Sequence, residues 1–131
     1  MKKLLCIIFI LFCLLFTSCA DKNDKGEKVM YEQITAENAK KIIDSGEDCV
    51  ILDVREQDEY NQGHIPNAIL IPYTEIENKA GKMLPDKDKL ILVYCRSGRR
   101  SKIAAESLVN IGYTNVKEFG GIIDWPYEVA S

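Results

Sequence analysis

The chain has 131 residues, with 17 Lys and Arg against 20 Asp and Glu and a formal net charge of −3. That length holds one domain, and the acidic balance argues against nucleic acid as a general partner. Five cysteines in so short a chain suggest a disulfide framework until their positions are read.

The N-terminus reads as a leader. Met1-Lys2-Lys3 is basic, Leu4 to Phe16 is almost unbroken apolar sequence, and Thr17-Ser18 are two small residues before Cys19. About thirteen apolar residues fall short of the roughly 20 needed to span a bilayer and suit the core of a signal peptide. The arrangement resembles the bacterial lipoprotein signal, whose cleavage leaves the cysteine as a lipidated N-terminus; Phe16 stands where that signal usually has Leu. Residues 1–18 are therefore expected to be removed and Cys19 to carry the lipid. Asp21 to Lys28, nearly all charged, polar or Gly, completes a flexible tether over residues 19–28. Several acyl chains anchor stably where one holds only marginally. The protein is thus expected to be exported and held in the bacterial cell envelope, on the periplasmic or surface face. Loss of Lys2 and Lys3 leaves about 15 basic residues against 20 acidic ones, a mature net charge of about −5.

The folded part is residues 29–131. Thr35 caps a predicted helix from Ala36 to about Ser45, with Ala39, Ile42 and Ile43 on one face and Gly46 as its stop. Val50 to Val54 reads as a short buried strand carrying Asp53 and Arg55 at its end. Glu56 to Asn61 suits one or two helical turns closed by Gly63. Ala68 to Ile71 is another strand, ended by Pro72. A helix is predicted from Thr74, as its cap, to about Lys82. Pro85-Asp86-Lys87-Asp88 then turns into the strand Leu90 to Tyr94. The strongest helix runs from Ser101 to Ile111, with Ile103, Ala104, Leu108 and Ile111 on one stripe and Gly112 past its end. Val116 to Phe119 is a last strand, followed by Gly120-Gly121 and a helical turn through Trp125, a core residue. Short apolar strands alternating with helices call for an α/β fold in three layers, a short parallel sheet with helices on both faces.

The cysteines then separate. Cys6 and Cys13 lie in the leader and Cys19 is the lipid site, so only Cys49 and Cys95 belong to the domain. They fall at opposite ends of their strands, about 15 Å apart, beyond the ~7 Å reach of a disulfide. Cys49 reads as a small buried residue. Cys95 is left as the lone thiol near the surface, at the carboxyl end of a strand where ligands of such sheets bind.

Cys95 opens the stretch Cys95-Arg96-Ser97-Gly98-Arg99-Arg100-Ser101, a Gly-containing loop between a strand and a helix. Backbone N–H groups and the positive end of a helix favour an anion in such a loop, and three arginines add to that field. These surroundings favour the thiolate, the nucleophilic form of cysteine. On this physics alone both sulfur transfer and phosphate chemistry are open.

Three further stretches accompany the loop: Leu52-Asp53-Val54-Arg55-Glu56 with Glu59-Tyr60, then Gly63-His64-Ile65-Pro66-Asn67-Ala68, and Gly120-Gly121-Ile122-Ile123-Asp124-Trp125. In this order and spacing they resemble the single-domain rhodaneses, or thiosulfate sulfurtransferases, over about Tyr31 to Trp125. Asn67 departs from that pattern, which usually has Gly there and which affects only a turn.

The resemblance implies a rhodanese-like fold in which Cys95 attacks the outer sulfur of a small anionic donor such as thiosulfate and carries it as a persulfide to a thiol or to cyanide. It implies no cofactor and no metal ion, and a monomer is expected. A ring of N–H donors would stabilise thiolate and persulfide alike, with no separate general base. Arg96 and Arg99 would steer the anionic substrate, with Ser97 and Gly98 completing the loop, while Arg100 braces it. Asp53 and Arg55 suit an ion pair that locks neighbouring loops, and His64 a turn fixed by backbone hydrogen bonds.

Two other readings stand beside this one. A sulfur carrier or binding module without appreciable turnover would carry the same loop. A cysteine phosphatase has five residues between Cys and Arg, whereas here Arg100 follows Cys95 after four and Ser101 takes the later place.

Overall fold

The computed structural model describes residues 30–131. The leader, Cys19 and the tether predicted from sequence lie outside them.

The elements in chain order are β1 (Glu32–Gln33), α1 (Ala36–Asp44), β2 (Cys49–Asp53), α2 (Gln57–Gln62), β3 (Ile69–Leu70), a 3₁₀ turn (Tyr73–Glu75), α3 (Ile76–Met83), β4 (Leu90–Cys95), α4 (Arg99–Asn110), β5 (Val116–Gly121) and a second 3₁₀ turn (Ile122–Asp124). The strands form one five-stranded parallel sheet in the order β1-β5-β4-β2-β3. All six residues of the central β4 are buried, because parallel sheets are covered on both sides. Leu52, Val54, Ile91 and Val93 point into one core layer with Ile76 and Ala80 of α3 and Ala104, Ala105 and Leu108 of α4. Ile51, Leu92, Tyr94 and Phe119 point into the other, with Ala39 of α1, Ile65 and Trp125. The three-layer α/β architecture expected from the alternation of elements is the one found.

Thr35 caps α1 as predicted, its Oγ1 accepting the Asn38 N–H at 3.1 Å. Thr74 does not cap α3. Pro72 starts the 3₁₀ turn through Glu75, and the α-helix proper begins at Ile76 with no side-chain cap. The helix after the cysteine loop begins at Arg99, two residues before the predicted start, and its buried face is Ser101, Ala104, Ala105 and Leu108. Ile103, placed on the apolar stripe from sequence, is 42% exposed instead. Cys49 is half-buried at the start of β2 rather than enclosed. Trp125 is in the core, as expected.

One strand is new. β1 is two exposed residues that join the sheet edge by backbone pairing alone, Glu32 opposite Lys117 and Gln33 opposite Glu118. The strand order changes direction around β4: β5 follows on one side, while β2 and β3 lie on the other. In parallel sheets such a point leaves a crevice beyond the carboxyl ends of the strands. Cys95 ends β4 there.

Candidate active site

Cys95 is the last residue of β4, and Arg96-Ser97-Gly98 turn the chain into α4. Gly98, at φ 107°, takes a left-handed conformation that side chains resist. Its N–H donates to Cys95 Sγ at 3.0 Å. α4 begins one residue later, so the positive end of a twelve-residue helix lies beside the sulfur. The ring of donors expected from sequence reduces, at the resting sulfur, to this one N–H. Nor is Cys95 a surface thiol. Arg96 and Ser97 are exposed, but the cysteine is 1% exposed and turns beneath them into the core layer of α4.

Glycine at 121 makes this loop possible. Between Val93 and Cys95 the β4–β5 register slips, so that Val93 faces Glu118 and Cys95 faces Gly121. Bulges of this kind re-aim a strand beside a site. A Cβ at Gly121 would run into the carbonyl of Arg96 and the amide of Ser97. The Ile123 N–H fastens the same Arg96 carbonyl at 3.2 Å.

Behind the sulfur lies a pair that sequence reasoning missed. The Ser101 hydroxyl is 3.3 Å from Cys95 Sγ and 2.6 Å from Glu118 Oε1. Glu118 is 2% exposed, and the same oxygen accepts the Gly120 N–H at 2.8 Å. Nothing in Val116-Lys117-Glu118-Phe119 marks that glutamate as inward-facing.

The three arginines of the loop have different surroundings. Arg100 donates through both terminal nitrogens to Glu59 of α2, at 2.6 and 2.8 Å. The Arg100 hydrogen bonds hold the Glu59 carboxyl down at about 2, and the bond to Glu59 raises Arg100 in turn. Arg96 and Arg99 are exposed and have no carboxylate partner among the described residues. Arg99 lies 5.9 Å over the Tyr73 ring. Arg96, with Arg55, Glu59, Gly63 and Ile122, lines an open cleft of about 350 Å³.

Asp53, Arg55 and His64 build the frame. Arg55 pairs with Asp53 Oδ2 at 2.7 Å and donates to the Gly63 carbonyl at 2.6 Å. Tyr94 O–H donates to the same Asp53 oxygen at 2.7 Å and accepts the Ile65 N–H at 3.0 Å. Burial, reinforced by the Asp53 charge, pushes the Tyr94 hydroxyl well above the ordinary phenol range. His64 Nδ1 lies 2.9 Å from the Tyr60 carbonyl, its ring stacks on Tyr60, and its backbone pairs with Ala130 at 2.9 and 2.8 Å. Those contacts fix the turn.

Cys49 and Cys95 are both free thiols. Cys49 pairs with Leu90, five residues before Cys95, which places the two at opposite ends as expected. Burial pushes the Cys49 thiol up, and Glu47 and Asp48 add to it.

The model of the rhodanese-like domain matches residues 35–126. Thiosulfate sulfurtransferase PspE of Escherichia coli is 41% identical over 73 residues, 56% of this chain and 70% of that protein. The putative sulfur carrier protein YrkF of Bacillus subtilis is 39% identical over 94 residues, 71% of this chain but only 50% of its own length. The crystal structure of a rhodanese-related protein from Thermoplasma volcanium, 37% identical, matches with a TM-score of 0.66 and covers 76% of this chain and 98% of that one. With the parallel sheet and the strand–loop–helix around Cys95, these matches lead to one conclusion: the chain belongs to the rhodanese-like domain family.

Proposed function

We propose that the protein is a sulfurtransferase that carries sulfane sulfur as a persulfide on Cys95. The observation that carries this reading is the placing of Cys95 Sγ against the Gly98 N–H and the start of α4, beside Arg96 and Arg99, which have no carboxylate partner among the described residues. An anion on that sulfur is stabilised in each state of the cycle. The thiolate attacks the outer sulfur of thiosulfate or a similar anionic donor. A Cys95–sulfur bond forms, the donor's sulfur–sulfur bond breaks, and sulfite leaves with the electron pair. A thiol or cyanide acceptor then takes the outer sulfur and frees the Cys95 thiolate. The PspE relative is named for this activity.

Intact-mass measurement after thiosulfate exposure tests it. A gain of one sulfur atom, absent in Cys95→Ser, is expected; no gain in the wild type overturns it.

A sulfur carrier without appreciable turnover is the second reading, favoured by the name of the YrkF relative and by the 1% exposure of Cys95, which restricts access to the sulfur. Steady-state thiocyanate formation from thiosulfate and cyanide separates the two: rapid turnover supports the enzyme, and a stable persulfide with negligible turnover the carrier. The phosphatase reading is disfavoured by the loop, because the position an arginine would occupy is Ser101, with the Glu118 carboxylate behind it.

The same proposal includes export and lipid anchoring at Cys19, on the strength of the basic start, the apolar run 4–16 and the two small residues before the cysteine. Mass spectrometry of the mature N-terminus is expected to find a diacylated or triacylated Cys19. An unmodified cysteine there removes the anchor.

A further inference from the structure

A buried thiol that must become a thiolate needs somewhere to send its proton, and at 1% exposure Cys95 has little water to receive it. Cys95 Sγ lies 3.3 Å from Ser101 Oγ, and Ser101 Oγ lies 2.6 Å from Glu118 Oε1. The hydroxyl has a single proton. Its shortest acceptor is the carboxylate, against 3.0 Å for the Gly98 carbonyl and 3.3 Å for that of Gly120. With its proton engaged there, Ser101 faces the sulfur with its lone pairs and accepts the Cys95 S–H.

We infer that Cys95, Ser101 and Glu118 form a proton-sharing relay in which Glu118 receives the Cys95 proton through Ser101 during sulfur loading. The Cys95 S–H bond breaks as a new O–H bond forms on Ser101. The original Ser101 proton moves to Glu118 Oε1, and the hydroxyl then donates to the thiolate. No electron changes hands, and the relay holds one negative charge before and after. The anionic donor therefore never meets thiolate and carboxylate together, a like-charge pairing that buried sites disfavour. When an acceptor removes the outer sulfur, the same path returns the proton. Glu118 acts through Ser101 and is a positioning residue.

Cys95 and Glu118 are enclosed by β4, α4, β5 and β1. The other charged groups there are the exposed Arg96, Arg99 and Lys102, Arg100 already paired with Glu59, and the Lys117–Glu32 pair at the sheet edge. None of them hydrogen-bonds the sulfur or the carboxylate, although Arg100 lies close enough to feel the charge of Cys95.

The inference rests on the persulfide reading, and the test keeps the two apart. The alkylation rate of Cys95 in the full chain is followed against pH by peptide mass. Two groups sharing one proton titrate in two macroscopic steps. The wild type is therefore expected to show a rise, a plateau where the rate changes less than about twofold over a full pH unit, and a second rise. Glu118→Gln and Ser101→Ala are each expected to lose the plateau and fall about tenfold per pH unit along a single acid limb. A wild-type profile with one step overturns the relay, as does a plateau that survives in either folded variant. A neighbouring charge without proton sharing would only slide a single step along the pH axis, and that result also overturns it. If neither variant folds, the wild-type profile decides. Failure of the wild type to gain sulfur from thiosulfate would instead remove the persulfide reading, whatever the shape of the profile.

Discussion

The Arg100 guanidinium grips the Glu59 carboxylate through both of its terminal nitrogens, at 2.6 and 2.8 Å, and so ties the first turn of α4 to α2 across 41 positions of sequence. Both side chains are largely shielded, 17% and 25% exposed, so water screens the pair only in part. A forked, charge-assisted contact of this kind fixes geometry as well as adding stability. Among the described residues it leaves Arg96 and Arg99 as the loop's cations without a carboxylate partner.

Glu59→Gln is expected to cost about 2 kcal/mol at neutral pH, after allowance for partial exposure. The sign with pH follows from the folded carboxyl lying near 2, below its ordinary 4.5. As pH falls below about 4.5 the unfolded chain takes up this proton first, so the stabilisation is complete above that value and is lost towards pH 2. Urea unfolding of wild type and variant over that range should give curves that converge on acidification. A difference that stays constant from pH 7 to pH 3 would rule the account out.

Gly121→Ala is expected to damage the site more than the fold. The new Cβ meets backbone atoms of Arg96 and Ser97, which cannot rotate away, so the loop that positions Cys95 must move. A displacement near 1 Å at reacting atoms costs about 100-fold in rate, and a loss of at least that size is expected in thiocyanate formation. Gly46→Ala is the control. Gly46, unlike the extended Gly121, has a positive φ, 77°, with open space around it. It should lose about 1 kcal/mol of stability from backbone strain with turnover unchanged.

Tyr94→Phe leaves the buried Ile65 N–H without its acceptor and takes one donor from the buried Asp53, which keeps Arg55. About 2 kcal/mol is expected, a fall in Tm of about 8–16 °C for a domain of this size. Thermal unfolding followed by circular dichroism checks it, and a shift below about 3 °C would mean that neither bond matters.

The order of elements was legible because its signals are local and strong. Leu90 to Tyr94 is too apolar for a half-exposed strand, Thr35 is a good cap, and Gly98 marks the turn into a helix. Where local signals compete, position was lost: Pro72 captured the start that Thr74 offered, and α4 turns Ser101, Ala104, Ala105 and Leu108 inwards, which leaves Ile103 outside. β1 could not be seen, since two exposed polar residues paired only through backbone carry no side-chain signal. Cys95 and its arginines were legible from the loop alone. Glu118 was not, because alternation along a strand shows which residues share a face but not that a register slip one strand away places a serine against a carboxylate.

Asn67, the residue that departs from the family pattern, yields the last prediction. Pro66 and Asn67 are the central residues of a four-residue turn, closed by the Ala68 N–H on the Ile65 carbonyl at 3.0 Å. Asn67 has φ 67°, the left-handed conformation that the third position of a type II turn requires after a proline. Glycine enters that region freely, and asparagine is the side chain that tolerates it best. Asn67→Gly should therefore change stability by less than about 1 kcal/mol, while Asn67→Val, branched at Cβ, should lose about 2 kcal/mol. Both should leave sulfur loading of Cys95 intact, because the turn bears on the frame through Ile65 and Tyr94 rather than on the sulfur. Paired urea unfolding and intact-mass measurements would show it. A loss of loading in Asn67→Gly would mean that the turn reaches the sulfur by a route other than Tyr94 and Asp53.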